Sequence, residues 1–375
     1  MSDTPASASL LDRLNEAENF AALDPHNMLG LVQKFPDQCR EASKIRWQYG
    51  PGHTDKMDIR QVVVTGLGGS AIGGDFARSM MEAFGTVPLI VNRDYNLPHW
   101  VGPHTLVIAG SYSGNTEETL SAYRAAQYVN AQIAVVSSGG ELSKMAREDG
   151  NPIAVVPGGQ PPRSATGYMF FPTLRFLVSR HLLENKAHKD DPQFENPIEE
   201  TLDRLTKMET ELGPDVPTES NPAKQMAIAL CGKIPVIYGS QGWRGVVATR
   251  WKGQFNENAK IAAFANVLPE QNHNEILAWT QAQKQAQTWA AIFLRESDEA
   301  TNLPRIARRV AVTKELLGEN VEAHEVFSQG DSLLERMFSL IYFADFVTVY
   351  LAYLYGICPT DIAAIDHLKS EMSKL

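Results

Sequence analysis

Short apolar runs alternate with amphipathic stretches in the first half of the chain. Five runs rich in Val, Ile and Ala are typical of strands buried on both faces of a parallel sheet, namely residues 61–65, 87–92, 106–110, 133–137 and 153–156. Amphipathic helical patterns separate them at residues 75–84, 117–126 and 141–148. This alternation predicts an α/β fold with a doubly wound, five-stranded parallel sheet in the flavodoxin-like order 2-1-3-4-5.

Two loops rich in Gly and Ser follow the first and third predicted strands, at residues 66–74 and 110–116. In the order 2-1-3-4-5 the direction of strand succession reverses between these two strands. Ligands of such sheets bind at the carboxyl ends of the strands at that point. The topology therefore predicts that both loops border one ligand crevice.

The second of these loops carries three hydroxyls, at Ser111, Ser113 and Thr116. Glu117 and Glu118 then open a helical pattern, so that hydroxyls and backbone N–H groups meet at a helix N-terminus, where the helix dipole favours an anion. We interpret the loop as a phosphate site that needs no metal. A turn in which the hydroxyls only cap the helix is the alternative.

The first loop, GLGGSAIGG, has two interpretations. The spacing of its glycines and Ala71 fits the G-x-G-x-x-A pattern of a dinucleotide-binding turn, which requires an acidic residue at the end of the second strand. That strand ends at Asn92 instead. A sugar-phosphate loop accounts equally well for Gly69 and Ser70.

The pattern along the rest of the chain predicts three parts. These are a helical cap at residues 1–55, a first domain at residues 56–212 and a second domain at residues 213–375. A strand, a Gly/Ser turn and a helix recur in the second domain, which predicts a second doubly wound five-stranded sheet. Two long helices are predicted near residues 331–355 and 361–373. The second domain lacks a counterpart of the hydroxyl loop, so we expect one ligand site per chain.

Composition narrows the classes of function. The chain has 375 residues and a net charge of −10 without a basic run, which argues against a nucleic-acid partner. Cys39, Cys231 and Cys358 form neither a CxxC pair nor a disulfide framework, and the N-terminus lacks a signal-peptide pattern, so we expect a reducing cytoplasm. Asp345 interrupts the longest apolar stretch, residues 338–354, which we interpret as a buried helix rather than a membrane span.

Four side chains outside the two loops are candidates for chemistry. Arg163 is the only cation of the loop after the fifth strand. Glu257 and His273 are suited to acid–base catalysis, and Lys369 lies on a predicted helix beginning near Thr360. For each of the four, a solvated polar side chain is the alternative. The sequence has no HExxH, no CxxC and no Asp-rich cluster, which argues against a bound metal.

Six segments in this order resemble the bifunctional phosphoglucose/phosphomannose isomerases, a family of two-domain sugar-isomerase (SIS) proteins related in fold to phosphoglucose isomerase. They are GLGGSAIGGD, GSYSGNTEET, PRSATGY, NENAK, PEQNHNEI and IDHLK, and the resemblance spans residues 60–370. SIS domains of many functions, transcriptional regulators included, share the SxSGxT segment, whereas the ordered set of six is specific to this family.

The resemblance implies a metal-independent aldose–ketose isomerase without a cofactor. Its reaction would interconvert glucose 6-phosphate and mannose 6-phosphate with fructose 6-phosphate through a cis-enediolate. The family pattern implies that the substrate phosphate is held by residues of the two Gly/Ser loops, which are Gly69, Ser70, Ser111, Ser113 and Thr116.

The resemblance also implies the catalytic roles. Glu257 would move a proton between C1 and C2, Arg163 would stabilise the enediolate, and His273 and Lys369 would assist ring opening at O5 and O1. In the family the His comes from the neighbouring subunit, which implies a homodimer with composite sites. A polar residue before the terminal Lys lines the sugar pocket in relatives, and Thr360 is the nearest candidate here.

Two other functions compete with an isomerase. A non-catalytic SIS module that senses a sugar phosphate would keep the phosphate loops but would not need Glu257, His273 and Lys369. A nicotinamide-dependent oxidoreductase would use the first loop, but the second hydroxyl loop and the missing ribose-binding acid disfavour it.

Overall fold

The computed structural model describes residues 13–15, 18–50, 58–184, 194–281, 283–319, 321–372 and 374. Residues 1–12, 16–17 and 51–55 of the predicted helical cap lie outside the described residues. The chain forms two compact units. The first unit comprises residues 34–203 and 332–334, and the second comprises residues 1–33, 204–331 and 335–375.

The first unit contains one sheet of five strands. Two short helices, α1 (Glu18–Leu23) and α2 (Met28–Gln33), belong to the second unit, and α3 (Phe35–Ala42) opens the first. The elements that follow are β1 (Gln61–Thr65), α4 (Gly68–Phe84), β2 (Leu89–Asn92), β3 (Thr105–Ser111), α5 (Glu117–Tyr128), β4 (Gln132–Ser137), α6 (Gly140–Glu148), β5 (Ile153–Val155) and α7 (Thr166–Ser179). All strands are parallel, in the order β2-β1-β3-β4-β5. The predicted strands and their order are confirmed.

Burial on both faces explains the unbroken apolar runs of these strands. Every residue of β3 is buried, as is typical of the centre of a sheet covered by helices on both sides. In one cluster of the core, Val63, Val107 and Val135 pack with Tyr123 of α5 and Leu142 of α6. Strands of this kind carry no polar alternation because neither face meets water.

Helix α4 begins at Gly68 and not at the predicted residue 75, so most of the predicted loop 66–74 is helical. The glycines that indicated a loop instead allow close packing. A Cβ on Gly73 would lie 2.9 Å from Cβ of Met169, and a Cβ on Gly74 would lie 2.7 Å from Cγ1 of Val64. The helix therefore approaches both α7 and β1 more closely than larger residues permit.

The second unit repeats the alternation of strands and helices. Helix α8 (Glu195–Leu212) contains the division between the units, which falls after residue 203. The elements that follow are α9 (Pro222–Ala229), β6 (Ile234–Ser240), α10 (Trp243–Glu257), β7 (Phe264–Leu268), α11 (Ile276–Gln281), α12 (Gln283–Ala286), β8 (Trp289–Arg295), α13 (Glu299–Asn302), α14 (Pro304–Leu317), β9 (Glu322–Phe327), α15 (Leu333–Leu354) and α16 (Ala363–Met372). Its strands are parallel, in the order β7-β6-β8-β9.

The second sheet is doubly wound as predicted, with β6 between β7 and β8, and the α/β fold class is confirmed. Within the described residues it has four strands, one fewer than expected. The reason is visible in the sequence after β9, where the next apolar stretch is 22 residues long and forms α15 rather than another strand.

Helix α15 is the one described helix that is long and apolar enough to cross a membrane. However, 94% of its most apolar window is buried inside the protein, as in the core helix of a soluble protein. The prediction of a buried helix at residues 338–354 is thus confirmed. Asp345 lies within it and is itself buried.

Candidate functional site

The two Gly/Ser loops meet at the carboxyl ends of β1 and β3. These strands pair in parallel with Thr65 opposite Ala109, so their following residues emerge side by side. A Cβ on Gly66 would lie only 2.6 Å from the carbonyl oxygen of Gly110. The crevice that the strand order predicted is therefore bordered by both loops.

The three hydroxyls at the end of β3 and in the following loop precede the N-terminus of α5. Ser111 and Thr116 are joined through their hydroxyl oxygens at 2.9 Å, and the backbone N–H of Gly114 donates to Ser111 Oγ at 3.1 Å. The N–H of Asn115 donates to Ser113 Oγ at 3.3 Å. Thr116 is the N-cap residue of α5, yet its side chain makes no cap hydrogen bond, so the first N–H groups of the helix are not satisfied by it. An anion at this point would meet hydroxyls and a helix dipole together.

Ser70 adds a fourth hydroxyl from the first turn of α4. The backbone N–H of Tyr112 donates to Ser70 Oγ at 3.2 Å, which joins the two loops directly. Helix α4 has 17 residues and no acidic side chain in its first turn, so its N-terminal dipole is not offset there. Two helix N-termini thus contribute to the same region of the first unit.

The backbone of Pro162 and Arg163 approaches the start of α4 closely because Gly69 has no side chain. A Cβ on Gly69 would lie 2.5 Å from the carbonyl oxygen of Pro162 and 3.4 Å from Cα of Arg163. Arg163 lies on a short 3₁₀ helix (Pro162–Ser164) and is only 2% exposed. The alternative of a solvated loop arginine is therefore wrong.

Residues that the sequence analysis missed hold these loops in place. The side chain of Gln38 in α3 donates to the carbonyl of Ser164 at 2.8 Å and accepts from the N–H of Gly167 at 3.0 Å, on either side of the turn after Arg163. Ser138 Oγ donates to the carbonyl of Tyr112 at 2.6 Å. Because these partners are far apart in sequence, no local pattern could have indicated them.

Glu257 is the last residue of α10 and is half-buried. The Lys260 ammonium donates to the Glu257 carbonyl at 2.7 Å and to the Pro359 carbonyl at 2.9 Å. Lys260 has a positive φ of 56°, which folds its chain back toward the helix end. The second unit therefore brings the Glu257 backbone close to the segment that contains Thr360, although the sequence analysis gave Lys260 no role.

His273 and Lys369 lie at exposed positions of the second unit. His273 ends a short 3₁₀ helix (Glu270–His273) that follows β7, and its side chain is exposed. Lys369 lies on α16, of which no described residue is buried. Thr360, before this helix, is half-buried, with its hydroxyl 3.2 Å from Cys358 Sγ. The roles of these residues stay predictions.

Charged side chains pair with one another beyond the carboxyl ends of β6 and β8 in the second sheet. Arg244, at the start of α10, pairs with Glu296, and Arg336 pairs with both Glu296 and Asp298. Burial lowers the pKa of Arg244 to about 10. The expectation of one ligand site per chain stays a prediction.

Comparisons with known proteins agree with this architecture. The family described as "Bacterial phospho-glucose isomerase C-terminal SIS domain" matches residues 219–372. The chain is 40% identical over 349 residues to a protein of Caldicellulosiruptor bescii named bifunctional phosphoglucose/phosphomannose isomerase, covering 93% of this chain and 99% of that protein. A protein of the same name from Thermoplasma acidophilum is 37% identical over 312 residues, covering 83% and 89%.

A solved structure shares the fold. The crystal structure of a glucose-6-phosphate isomerase-like protein from Thermus thermophilus matches with a TM-score of 0.59 at 19% identity, covering 95% of this chain and 98% of that one. At this identity the likeness concerns the fold alone.

Proposed function

The chain belongs to the bifunctional phosphoglucose/phosphomannose isomerases, and we propose how its residues interconvert glucose 6-phosphate and mannose 6-phosphate with fructose 6-phosphate. The observation that carries the proposal is the cluster of four hydroxyls at two helix N-termini in the first unit. A phosphate dianion suits such a cluster because it accepts several hydrogen bonds and is favoured by both helix dipoles.

Ser70, Ser111, Ser113 and Thr116 hold the phosphate in this proposal. The 2.9 Å contact between Ser111 and Thr116 supports it, because both hydroxyls are already gathered at one point before a ligand arrives. Sites organised in advance lose less freedom on binding. The phosphate is remote from the carbons that react, so this group fixes the substrate and leaves the chemistry to other side chains.

Glu257 performs the proton transfer. With the sugar ring open, its carboxylate removes the proton from C2 of the aldose, and the C–H electron pair forms the C1–C2 double bond of an enediolate. The proton then returns to C1 while the O2 proton passes to O1, which gives the ketose. In the reverse direction, delivery of the proton to either face of C2 gives glucose or mannose 6-phosphate.

Arg163 stabilises the negative charge of the enediolate. Its burial supports this role, since a guanidinium shielded from water interacts more strongly with a developing negative charge than an exposed one. His273 and Lys369 move protons at O5 and O1 during ring opening. Neither step requires a cofactor or a metal.

The working form in this proposal is a cytoplasmic homodimer in which His273 serves the neighbouring subunit. The exposed position of His273 supports this, since a side chain buried within its own unit could not contribute to the site of a neighbouring subunit. Helix α16 carries Ile365, Leu368 and Met372 at exposed positions, and such side chains favour contact with another protein surface. The three cysteines are free, which is compatible with a reducing compartment.

One coupled assay tests the function. The wild-type protein and Glu257→Gln are supplied with glucose 6-phosphate and then mannose 6-phosphate, and fructose 6-phosphate is detected. We expect turnover of both sugars by the wild type and a loss of about 10²- to 10⁴-fold in Glu257→Gln, with sugar-phosphate binding retained. The surface variant Glu315→Gln is the matched control. Binding without turnover by the wild type would instead identify a non-catalytic SIS module, and full turnover by Glu257→Gln would remove Glu257 from the mechanism.

A further inference from the structure

A row of polar contacts joins α10 to α15 within the second unit. Its members on the α10 side are Arg250 and Gln254 of the helix and Asn258, the C-cap residue that follows it. They are four residues apart and so lie on one face of the helix. They meet Asp345 and Thr348 of α15. We call these five residues the polar seam.

The contacts of the polar seam follow one another along both helices. Arg250 Nη2 lies 3.2 Å from Asp345 Oδ1, and the side-chain amide of Gln254 donates to the same oxygen. One turn further, Asn258 Nδ2 donates to Thr348 Oγ1 at 3.1 Å. The Thr348 hydroxyl in turn donates to the carbonyl of Ala344 at 2.9 Å. Arg250, Gln254 and the C-cap residue Asn258 therefore each have a partner on α15.

The stability of the folded protein does not by itself explain why the residues of the polar seam are polar. All five residues are buried, Asn258 and Thr348 completely, and α15 is otherwise strongly apolar. Burial raises the pKa of the Asp345 carboxyl, and Arg250 acts against this rise. Apolar side chains of the same volume are often at least as stabilising as a buried ion pair. What a polar row adds is a unique register, because sliding or rotating either helix separates donors from acceptors.

The last contact of the polar seam lies next to Glu257. Asn258 follows Glu257 directly, and its N–H donates to the carbonyl of Gln254 at 2.8 Å as the helix ends. Lys260 holds the Glu257 carbonyl from the other side. Because Glu257 is the final helical residue, any rotation of the end of α10 changes the direction in which its carboxylate points.

Resting on the proposed function, we propose that Thr348 is a positioning residue for the isomerisation. Its hydroxyl holds the end of α10 through Asn258, and so fixes the direction of the Glu257 carboxylate. Thr348 is 0% exposed, and its hydroxyl accepts the hydrogen bond from Asn258. Proton transfer depends steeply on such placement, since an error of about 1 Å costs on the order of 10²-fold in rate.

Two substitutions at position 348 separate positioning from packing. Thr348→Val keeps the volume and removes the hydroxyl, whereas Thr348→Ser keeps the hydroxyl and removes a methyl group. We expect kcat to fall about 10- to 100-fold in Thr348→Val, with KM within about twofold of the wild type, because the phosphate contacts lie elsewhere. We expect Thr348→Ser to keep kcat within about threefold. A residue that only fills space gives the opposite order.

Thr201→Val is the matched control. Thr201 is a completely buried threonine in α8 whose hydroxyl donates to the Pro197 carbonyl at 2.6 Å, so the change removes the same group from another helix. We expect its kcat to be unchanged. If Thr348→Val fails to fold, Thr348→Cys replaces it, because a thiol is small but a weak acceptor, and its kcat should fall below that of Thr348→Ser.

The assay of Glu257→Gln distinguishes failure of this inference from failure of the proposed function. Turnover by Glu257→Gln would overturn both. If Glu257→Gln is inactive while Thr348→Val and Thr201→Val share the wild-type kcat, then Glu257 keeps its role and only the positioning by Thr348 is refuted.

Discussion

The hydroxyl of Ser70 accepts a hydrogen bond from the backbone N–H of Tyr112 at 3.2 Å. Ser70 lies in the first turn of α4, and Tyr112 is the first residue after β3, so this bond spans the crevice between the two loops. Both residues are at most 6% exposed, which shields the bond from water. Together with the close approach of Gly66 to Gly110, it joins the two loops into one structure rather than two independent turns.

Removing the Ser113 hydroxyl should weaken substrate binding without slowing the chemical step. A hydrogen bond to a charged group contributes about 1.5–3 kcal/mol, so we expect Ser113→Ala to raise KM by roughly 10- to 100-fold while kcat stays unchanged. Steady-state kinetics with glucose 6-phosphate provides the measurement. Thr210→Ala, which removes an exposed hydroxyl of α8, is the control and should change neither constant. A lower kcat at constant KM would contradict a phosphate contact.

Gly114 is required by both its backbone angle and its surroundings. Its φ is +74°, and a Cβ there would lie 1.8 Å from the carbonyl oxygen of Gly139. The strain of a left-handed residue alone is about 1–2 kcal/mol, and the contact adds to it. We expect Gly114→Ala to lower the melting temperature and to raise KM strongly, because the hydroxyl loop must move. Gly102→Ala, where a Cβ meets nothing within 4 Å, is the control. Equal melting temperatures for the two variants would show that the loop adapts.

The sequence alone was sufficient to predict the structural features that depend on the pattern of neighbouring residues. Unbroken apolar runs such as 106–110 predicted the strands, and the order 2-1-3-4-5 predicted that the two loops lie together. The predicted start of α4 was wrong because the sequence does not distinguish glycines that allow close packing from glycines that form a loop.

Contacts between distant residues could not be predicted in this way. Gln38 and Ser164 are 126 residues apart, and Asn258 and Thr348 are 90 apart, so only the folded chain brings them together. The burial of Arg163 and the close approach of its backbone to Gly69 likewise depend on the folded chain, and no periodicity reveals them. The catalytic roles of Glu257, His273 and Lys369 rest on the resemblance to relatives and stay predictions.

The buried ammonium of Lys224 should make stability depend on pH in the alkaline range. Lys224 is 0% exposed and donates to the carbonyls of Pro214 and Val216 at 2.7 and 2.8 Å. Burial lowers its pKa to about 8 from the ordinary value of 10.5. Between these two values the unfolded chain binds more protons than the folded one, so the contribution of this lysine to the free energy of unfolding rises with pH.

Lys224→Met isolates this effect, because it removes the titrating group. The wild type should gain about 1–3 kcal/mol relative to Lys224→Met as the pH rises from 8 to 10.5, as measured by urea denaturation at several pH values. Below pH 8 the difference between the two proteins should stay constant. A difference that is constant across the whole alkaline range would mean that the folded protein does not lower this pKa.

Mixing two inactive variants tests whether His273 serves the neighbouring subunit. In a dimer of Glu257→Gln with His273→Ala, one composite site receives the intact glutamate of one chain and the intact histidine of the other. Random exchange at equal amounts makes half of the dimers mixed, each with one intact site of two, so we expect about a quarter of the wild-type activity. Each variant alone, taken through the same unfolding and refolding, is the control and should stay inactive. If both residues of a site come from the same chain, every site in the mixture carries one defect, and no activity returns.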